Sequence, residues 1–216
     1  MHFCPKCGNM YYLTLFDKDQ NKLIYYCRNC GNEDKTLVDN LRKESNGHSL
    51  LLDGGDTWQG SYTSLMTQGM DMVSAVKLLK PDAMVGHWEF TFGKDRLSEL
   101  LEKMEYPFLG GSVFDTEWEE PVYESTAFFE RGGIKVAVIG QHFPYTPISN
   151  PKYLVEGWSF GIRLLEIRKN IQAARKNGAE VVVLLSHNGF DVDQKIAGMI
   201  DGIDVILTGH THDANP

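Results

Sequence analysis

Four short strings in this sequence place a carboxylate or an imidazole directly after a predicted strand. They are GGDTWQG (54–60), GHWEF (86–90), SHNG (186–189) and GHTHD (209–213). Each follows a short apolar run such as VVVLLS (181–186), which is typical of a buried strand. Because an α/β sheet gathers side chains at the carboxyl ends of its strands, the four strings predict one shared site.

Apolar runs and helical patterns alternate along the chain, which predicts a layered α/β domain with helices on both sheet faces. The predicted helices are 36–45, 62–79, 93–104, 160–177 and 191–200. The predicted strands are 49–53, 82–86, 107–113, 123–131, 134–140, 180–186 and 203–208. Residues 141–159, rich in Pro and aromatic side chains, are predicted to form a long loop, and such loops are commonly functional.

The residue types in the four strings indicate a hydrolytic metal centre. Two cations about 3.5–4 Å apart need a bridging carboxylate with imidazole ligands on either side. Asp56 suits the bridging position. The outer positions suit imidazoles: His87, His187, His210 and His212. A lone histidine after a strand is more often a hydrogen-bonded loop residue, but four such strings in this order favour metal binding.

Residues 36–216 resemble the calcineurin-like metallophosphoesterases of the 5'-nucleotidase branch, and within it the thiosulfohydrolases of sulfur oxidation (Sox). The resemblance rests on LLLDGGDTWQGS (50–61), MVGHWEFTFG (84–93), IGQHFPYTPISNP (139–151), VVVLLSHNGFDVD (181–193) and GIDVILTGHTHDANP (202–216). Where the nucleotidases read Asn-His-Glu, this chain reads His87-Trp88-Glu89, as the thiosulfohydrolases do. The resemblance implies an incomplete metallophosphoesterase-type sheet.

The resemblance also implies a mechanism and a metal, Mn²⁺ or another divalent ion. A metal-bound hydroxide would release sulfate from a cysteine S-thiosulfonate on a sulfur-carrier protein. Asp56 would bridge two ions, with His87, His187 and His210 on one of them and His212 on the other. The implied catalytic residues are Asp56, His87 and Trp88. The Trp88 indole donates a hydrogen bond but carries no proton through a reaction, which suits a leaving group of low pKa.

Two departures from the resembled family lower the expected activity. No Asp-x-His motif precedes Asp56 in this sequence, and we expect the C-terminal substrate-binding domain of the family to be missing after Pro216. A catalytic transition metal usually has three or more protein ligands, so we expect one well-bound ion and a weak or absent second ion. Asp53 and His48 are poor substitutes for the missing ligands, because Asp53 falls within a predicted strand and His48 falls in the turn before that strand. The alternatives are a 5'-nucleotidase-like phosphoesterase, an inert domain fused to an interaction module, and a non-functional composite.

The N-terminal segment predicts a second, structural metal site. Two CxxC pairs separated by nineteen residues contain all four cysteines: Cys4, Cys7, Cys27 and Cys30. This spacing is typical of a structural Zn²⁺ site, with disulfides as the alternative. Residues 10–27 predict a two-stranded hairpin. The segment resembles the zinc ribbon of the small RNA-polymerase subunit, which implies a protein-docking role.

Composition and charge limit the remaining functions. A chain of 216 residues with 42% hydrophobic content can hold one medium domain and one small domain. We place the ribbon at 1–34, a junction with a leading helix at 35–48 and the catalytic core at 49–216. The formal charge of −8 argues against nucleic-acid binding. No membrane span or export signal is predicted.

The sequence therefore combines indications of two compartments. Reduced CxxC pairs and the missing signal indicate the cytoplasm, whereas the resembled hydrolases are periplasmic. A natural fusion, an engineered fusion and a mis-assembled reading frame all remain open.

Three further features are given structural interpretations. His142 is a candidate site residue, but an ordinary loop imidazole is the favoured interpretation. Asp191 and Asp193 are predicted to be charges in the first turn of a helix. Trp58 and Gln59 either line the cavity or pack against the core.

Overall fold

The structure is a computed structural model that describes residues 6–8, 11–15, 23–27, 29–30, 33–34 and 37–212. Its α-helices are α1 (Leu37–Glu44), α2 (Tyr62–Thr67), α3 (Met70–Leu79), α4 (Lys94–Leu101), α5 (Thr146–Ser149), α6 (Leu164–Lys176) and α7 (Phe190–Met199). Two 3-10 helices span Trp88–Phe92 and Lys152–Leu154.

The N-terminal strands are β1 (Tyr11–Leu15), β2 (Leu23–Cys27) and β3 (Glu33–Asp34). The α/β part contains β4 (Leu52–Asp53), β5 (Ala83–Met84), β6 (Val113–Asp115), β7 (Thr126–Arg131), β8 (Ile134–Gln141), β9 (Trp158–Phe160), β10 (Val181–Ser186) and β11 (Val205–Thr208). Strands β11, β10, β8 and β7 form a sheet in that order, in which β7 alone is antiparallel to its neighbour. Strands β4 and β5 form a parallel pair, and β6 pairs with β9.

Alternate residues of β10 contribute to two different cores, because successive side chains of a strand point to opposite faces. Val182 and Leu184 pack with Ile167 of α6 and Ile196 of α7. On the other face, Leu185 belongs to a core shared with β5 and its neighbouring loop. A third core lies between β5 and the helices α3 and α4. The predicted α/β class is confirmed, and helices cover the outer faces of two packed sheets.

Several predicted boundaries are wrong for identifiable reasons. The predicted helix 62–79 is two helices, because Gln68 and Gly69 have φ angles of 49° and 82° and end α2. The predicted strand 107–113 is mostly irregular and makes one isolated bridge, Met84 to Phe108. The predicted long loop 141–159 contains α5, a 3-10 helix and the start of β9.

The predicted N-terminal hairpin is confirmed. Strands β1 and β2 pair antiparallel with Tyr11 opposite Cys27 and Leu15 opposite Leu23. Residues 17–21, which connect the two strands, lie outside the described residues, as do Cys4 and the side chain of Cys27. The zinc site and the resemblance to a polymerase subunit therefore stay predictions.

Within the ranges that the structure describes, no helix is both long and apolar enough to span a bilayer.

Candidate metal centre

Four strand ends bring the predicted metal ligands together. Asp56 follows β4, His87 follows β5, His187 follows β10 and His210 follows β11. One donor atom from each of these four residues lies within 4.8 Å of the other three. Strands β4 and β5 belong to one sheet and β10 and β11 to the other, so the cluster forms where the two sheets meet.

Asp56 lies at the centre of this donor cluster, which is defined as Asp56, His87, His187 and His210. Its Oδ1 is 3.0 Å from His87 Nδ1, and its Oδ2 is 3.1 Å from His187 Nε2. The fifth predicted ligand, His212, is more distant: its Nε2 is 3.9 Å from Asp56 Oδ2, and its side chain is 70% exposed. The structure thus groups four of the five predicted ligands, with His212 at the rim.

His187 is fixed by a contact with the backbone. Its Nδ1 lies 2.5 Å from the carbonyl oxygen of Gly54, which can only accept a hydrogen bond. The proton of a neutral His187 is therefore on Nδ1, and the lone pair on Nε2 faces Asp56. Backbone partners of this kind orient metal-binding histidines in many metalloproteins.

Neighbouring charges shift the pKa values of the cluster. Burial favours the neutral acid of Asp56, but the nearby His187 and His87 outweigh it and hold the pKa well below its usual range. Burial opposes protonation of His187, but the contact with Asp56 raises its pKa. The pKa of His210 is lowered by burial and by the charges of His187 and His87. An ionised Asp56 beside a neutral His210 is the protonation state that a cation requires.

The donor set fits a divalent cation. Among the described residues, the buried atoms His87 Nε2 and His210 Nδ1 have no hydrogen-bond partner. The other two inward nitrogens, His87 Nδ1 and His187 Nε2, face the Asp56 carboxylate at 3.0 Å and 3.1 Å. Buried polar atoms without partners are costly, and a bound ion is one of the explanations for them. One carboxylate and three imidazoles are ligands that first-row transition metals accept.

Three site residues adopt left-handed backbone conformations that favour glycine. The φ angles are 63° at Asp56, 74° at His210 and 57° at His212. Such conformations cost free energy in a non-glycine residue and cluster at functional sites. The loops after β4 and β11 are therefore strained at the residues that present donor groups.

Trp88 and Phe143 surround the imidazole of His87. The Trp88 ring stacks on His87 with centroids 4.6 Å apart, and the Trp88 backbone N lies 3.4 Å from Asp56 Oδ1. Phe143 contacts the same imidazole from another direction, with centroids 4.1 Å apart. Trp88 and Phe143 therefore both lie beside the donor cluster, and the sequence analysis did not single out Phe143.

Glu89 is a site residue that the sequence analysis missed. It is fully buried, and its carboxylate accepts hydrogen bonds from four backbone N–H groups: those of Asp56, Thr57, Trp58 and His87. The carboxylate therefore ties the loop after β4 to the loop after β5. Its position in the string GHWEF was the available signal, but that string was interpreted through His87 and Trp88 alone.

The structure refines two structural interpretations. His142 lies in the loop after β8, as predicted, but it is fully buried and its Nδ1 accepts a hydrogen bond of 2.7 Å from Gly86 N. Asp193 lies in the first turn of α7, as predicted, and its buried carboxylate also accepts from the side chains of Ser186 and Asn188. Asp193 thereby supports the loop on either side of His187.

Other candidates lie outside the donor cluster. The Asp53 carboxylate accepts from Gly55 N and Thr57 Oγ1. His48 lies beside Gly132. Trp58 is fully buried in the core between β5 and the helices α3 and α4, which supports the packing interpretation, whereas Gln59 is exposed.

Known proteins share this fold. The chain is similar to the solved sulfate thiohydrolase SoxB of Thermus thermophilus, with 38% identity and a TM-score of 0.81 over 84% of this chain and 34% of that one. The calcineurin-like phosphoesterase YfkN of Bacillus subtilis has 21% identity and a TM-score of 0.74 over 87% of this chain and 68% of that one, a likeness of fold alone.

Among curated proteins, the 5'-nucleotidase of Rattus norvegicus is 29% identical over 184 residues, which cover 82% of this chain and 31% of that protein. The chain spans about a third of the length of the curated relatives it matches. No protein-family model matches the sequence.

Proposed function

We propose that this chain is a metal-dependent hydrolase of the thiosulfohydrolase type. The premise is that it has the fold of the calcineurin-like phosphoesterase/5'-nucleotidase superfamily. The observation that carries the proposal is the convergence of Asp56, His87, His187 and His210, with donor atoms within 4.8 Å of one another. The substrate would be a cysteine S-thiosulfonate on a carrier protein, and the product would be sulfate.

A divalent cation held by these donors would supply Lewis acidity and would lower the pKa of a water molecule that it binds. The residues of the chain then divide the remaining work. Asp56 provides the negative charge that holds the cation. His187, fixed by Gly54, presents one nitrogen in a single orientation. Glu89 holds the loops of Asp56 and His87 in fixed positions relative to each other by accepting hydrogen bonds from both.

Trp88 supports the choice of leaving group. It stacks on His87, where its indole N–H can donate a hydrogen bond to a substrate oxygen. It cannot protonate a leaving alkoxide, so a leaving group of low pKa suits the site better. Hydrolysis of a cysteine S-thiosulfonate at its sulfonate sulfur would break the S–S bond, release sulfate and leave a thiolate-like sulfur anion of low pKa on the carrier. The 38% identity with the Thermus thermophilus sulfate thiohydrolase supports the same substrate class.

A 5'-nucleotidase-like phosphoesterase is the second candidate. It is supported by curated relatives of 26–30% identity that carry this name, from rat, cattle and snake venoms among others. The two activities differ in the product released, sulfate or inorganic phosphate, so one experiment separates them.

The test uses the purified chain loaded with Mn²⁺ and, in parallel, the same chain kept in EDTA. Each is offered a small protein bearing one cysteine S-thiosulfonate, and separately AMP. We expect metal-dependent release of sulfate from the first substrate, measured by ion chromatography, and little phosphate from AMP. The His187→Ala variant is the matched control, since it removes one buried donor. Phosphate release without sulfate release would favour the nucleotidase. If neither sulfate nor phosphate is released, both proposals are refuted.

We also propose that Cys4, Cys7, Cys27 and Cys30 bind one Zn²⁺ and that this ribbon docks a protein. The CxxC spacing supports the proposal. Elemental analysis of the wild type and of Cys4→Ser separates the two metal sites, because the variant should lose zinc and keep the ion of the donor cluster. Equal zinc content in both proteins would count against the ribbon.

A further inference from the structure

The end of strand β8 supports the residue that precedes His87. Gly86 N donates a hydrogen bond of 2.7 Å to His142 Nδ1, across 56 residues of sequence. Phe143 N donates to Gly86 O at 3.3 Å. The dipeptide His142-Phe143 therefore holds Gly86 on both its N–H and its carbonyl. This fixes the backbone immediately before His87.

The ring of Phe143 supports two of the donors directly. Its centroid lies 4.1 Å from that of His87 and 4.2 Å from that of His210. The two imidazoles come from different sheets, and one aromatic ring contacts both. Tyr145 packs against the edge of Phe143 at 5.7 Å. Phe143 therefore limits the rotation of both imidazoles.

His142 itself points away from the donor cluster. A Cβ atom built on Gly110 would lie 2.4 Å from His142 Nε2, so that nitrogen faces the backbone of Gly110. The imidazole is enclosed by the rings of Phe90, Phe108 and Tyr123. Since Nδ1 accepts from Gly86, the neutral ring carries its proton on Nε2. His142 thus lacks the geometry of a ligand.

We infer that His142 and Phe143 are positioning residues for the metal donors His87 and His210. The inference rests on the proposed metal site. His142 fixes the backbone before His87 through Gly86, and Phe143 fixes the two imidazole rings. Groups that orient metal ligands typically change metal affinity 10- to 100-fold when they are removed.

The experiment measures Mn²⁺ affinity of the full chain by titration with electron paramagnetic resonance detection of free Mn²⁺. His142→Phe keeps an aromatic ring but removes the acceptor for Gly86 N–H. His142→Asn keeps an acceptor at a comparable distance from the backbone and removes the ring. Phe143→Leu removes the aromatic face. Ile148→Ala is the matched control, because this side chain lies on the same segment and is 83% exposed.

We expect a loss of affinity of about tenfold or more in His142→Phe and in Phe143→Leu, partial recovery in His142→Asn and no change in Ile148→Ala. The spectrum of bound Mn²⁺ should also change in the two weakened variants, which a loss of stability alone would not cause. Urea unfolding of each variant in EDTA identifies any that fail to fold. Affinities within twofold of the wild type in both His142→Phe and Phe143→Leu would overturn this inference and leave the proposed function standing. A wild type that binds no Mn²⁺ would overturn the proposed function and this inference together.

Discussion

The carboxylate of Glu89 accepts a hydrogen bond of 2.7 Å from the backbone N–H of Thr57, which lies 32 residues earlier in the sequence. The same carboxylate accepts from Trp58 N and His87 N. A buried carboxylate that accepts several N–H bonds fixes the loops that present Asp56 and His87. The geometry of the donor cluster therefore depends on a residue that contributes no donor atom to it.

Replacing Glu89 with Gln should lower both stability and metal affinity. The carboxamide would turn an NH₂ group toward backbone donors, so at least one buried N–H would lose its acceptor, at a cost of about 1–3 kcal/mol. Urea unfolding in EDTA measures the stability, and Mn²⁺ titration measures the affinity. Glu102→Gln is the control, because Glu102 is exposed at the end of α4 and should change stability by less than about 0.5 kcal/mol. Equal unfolding midpoints for the two variants would contradict the role assigned to Glu89.

His187 and His212 should differ sharply in their effect on metal binding. His187 is buried, and its Nε2 is 3.1 Å from Asp56 Oδ2, whereas the His212 side chain is 70% exposed and 3.9 Å away. We expect His187→Ala to weaken Mn²⁺ binding by about 100-fold or more and His212→Ala by less than about tenfold, since removing an enclosed donor costs more than removing a rim donor. Isothermal titration calorimetry gives both values. A larger loss in His212→Ala would show that the ion binds nearer the rim.

Trp88→Phe should lower kcat of the proposed sulfate release and leave KM nearly unchanged. Phe preserves an aromatic ring beside His87, whose centroid is 4.6 Å from that of Trp88, but it removes the indole N–H. Loss of one hydrogen bond made in the transition state corresponds to about tenfold in kcat. Steady-state kinetics at saturating Mn²⁺ measures the split. A raised KM at constant kcat would place the indole in ground-state binding instead.

The stability of the metal-free chain should fall as the pH falls below about 6.5, in part because of His142. Burial, with a smaller contribution from the charge of His187, holds its pKa at about 3 in the folded chain, against 6.5 for an ordinary histidine. The unfolded chain therefore binds this proton first. The contribution of His142 to the free energy of unfolding is present above pH 6.5. It is lost as the pH falls toward 3, by at most about 1.4 kcal/mol per pH unit.

His142→Phe is the control for this pH dependence, because it cannot titrate. Urea unfolding at pH 7.5, 6.5 and 5.5 in EDTA should give a steeper decline for the wild type than for the variant. Burial raises the pKa of Asp53 to about 6, which acts in the opposite direction, but Asp53 is present in both proteins and cancels in the difference. Parallel declines would mean that His142 is accessible to protons in the folded chain.

Gly86→Ala should destabilise the site. A Cβ at Gly86 would lie 2.6 Å from the ring of Phe108, so the ring or the backbone has to move. Such overpacking typically costs about 1–3 kcal/mol. Gly161→Ala is the control, because a Cβ there meets no atom within 4 Å. Differential scanning calorimetry compares the two, and a Gly86→Ala chain as stable as Gly161→Ala would contradict the packing described for Phe108.

The identity of the donors could be predicted from sequence because the signals are local. Asp56, His87, His187 and His210 each follow an apolar run that is recognisable by its residue types. The alternation of strands and helices gave the α/β class for the same reason. Boundaries were less accurate, as at Gln68 and Gly69, where a left-handed turn divides one predicted helix into two.

The supporting residues depended on contacts between segments distant in sequence. Glu89 binds the loop of Asp56, His142 binds Gly86 and His187 binds Gly54, 133 residues away. No pattern of residue types along the sequence indicates that the two members of any of these pairs are in contact. Packing between distant segments also decided which predicted ligands lie inside the donor cluster. It left His212 exposed at the rim and buried His187.

The sequence by itself determined which side chains end the strands and that their chemistry suits a cation, because strand patterns and donor types are properties of short segments. The tertiary structure alone decided how the two sheets meet, which donors share a centre and which buried groups hold them there. Those relationships arise from packing and hydrogen bonds between residues that are far apart along the chain.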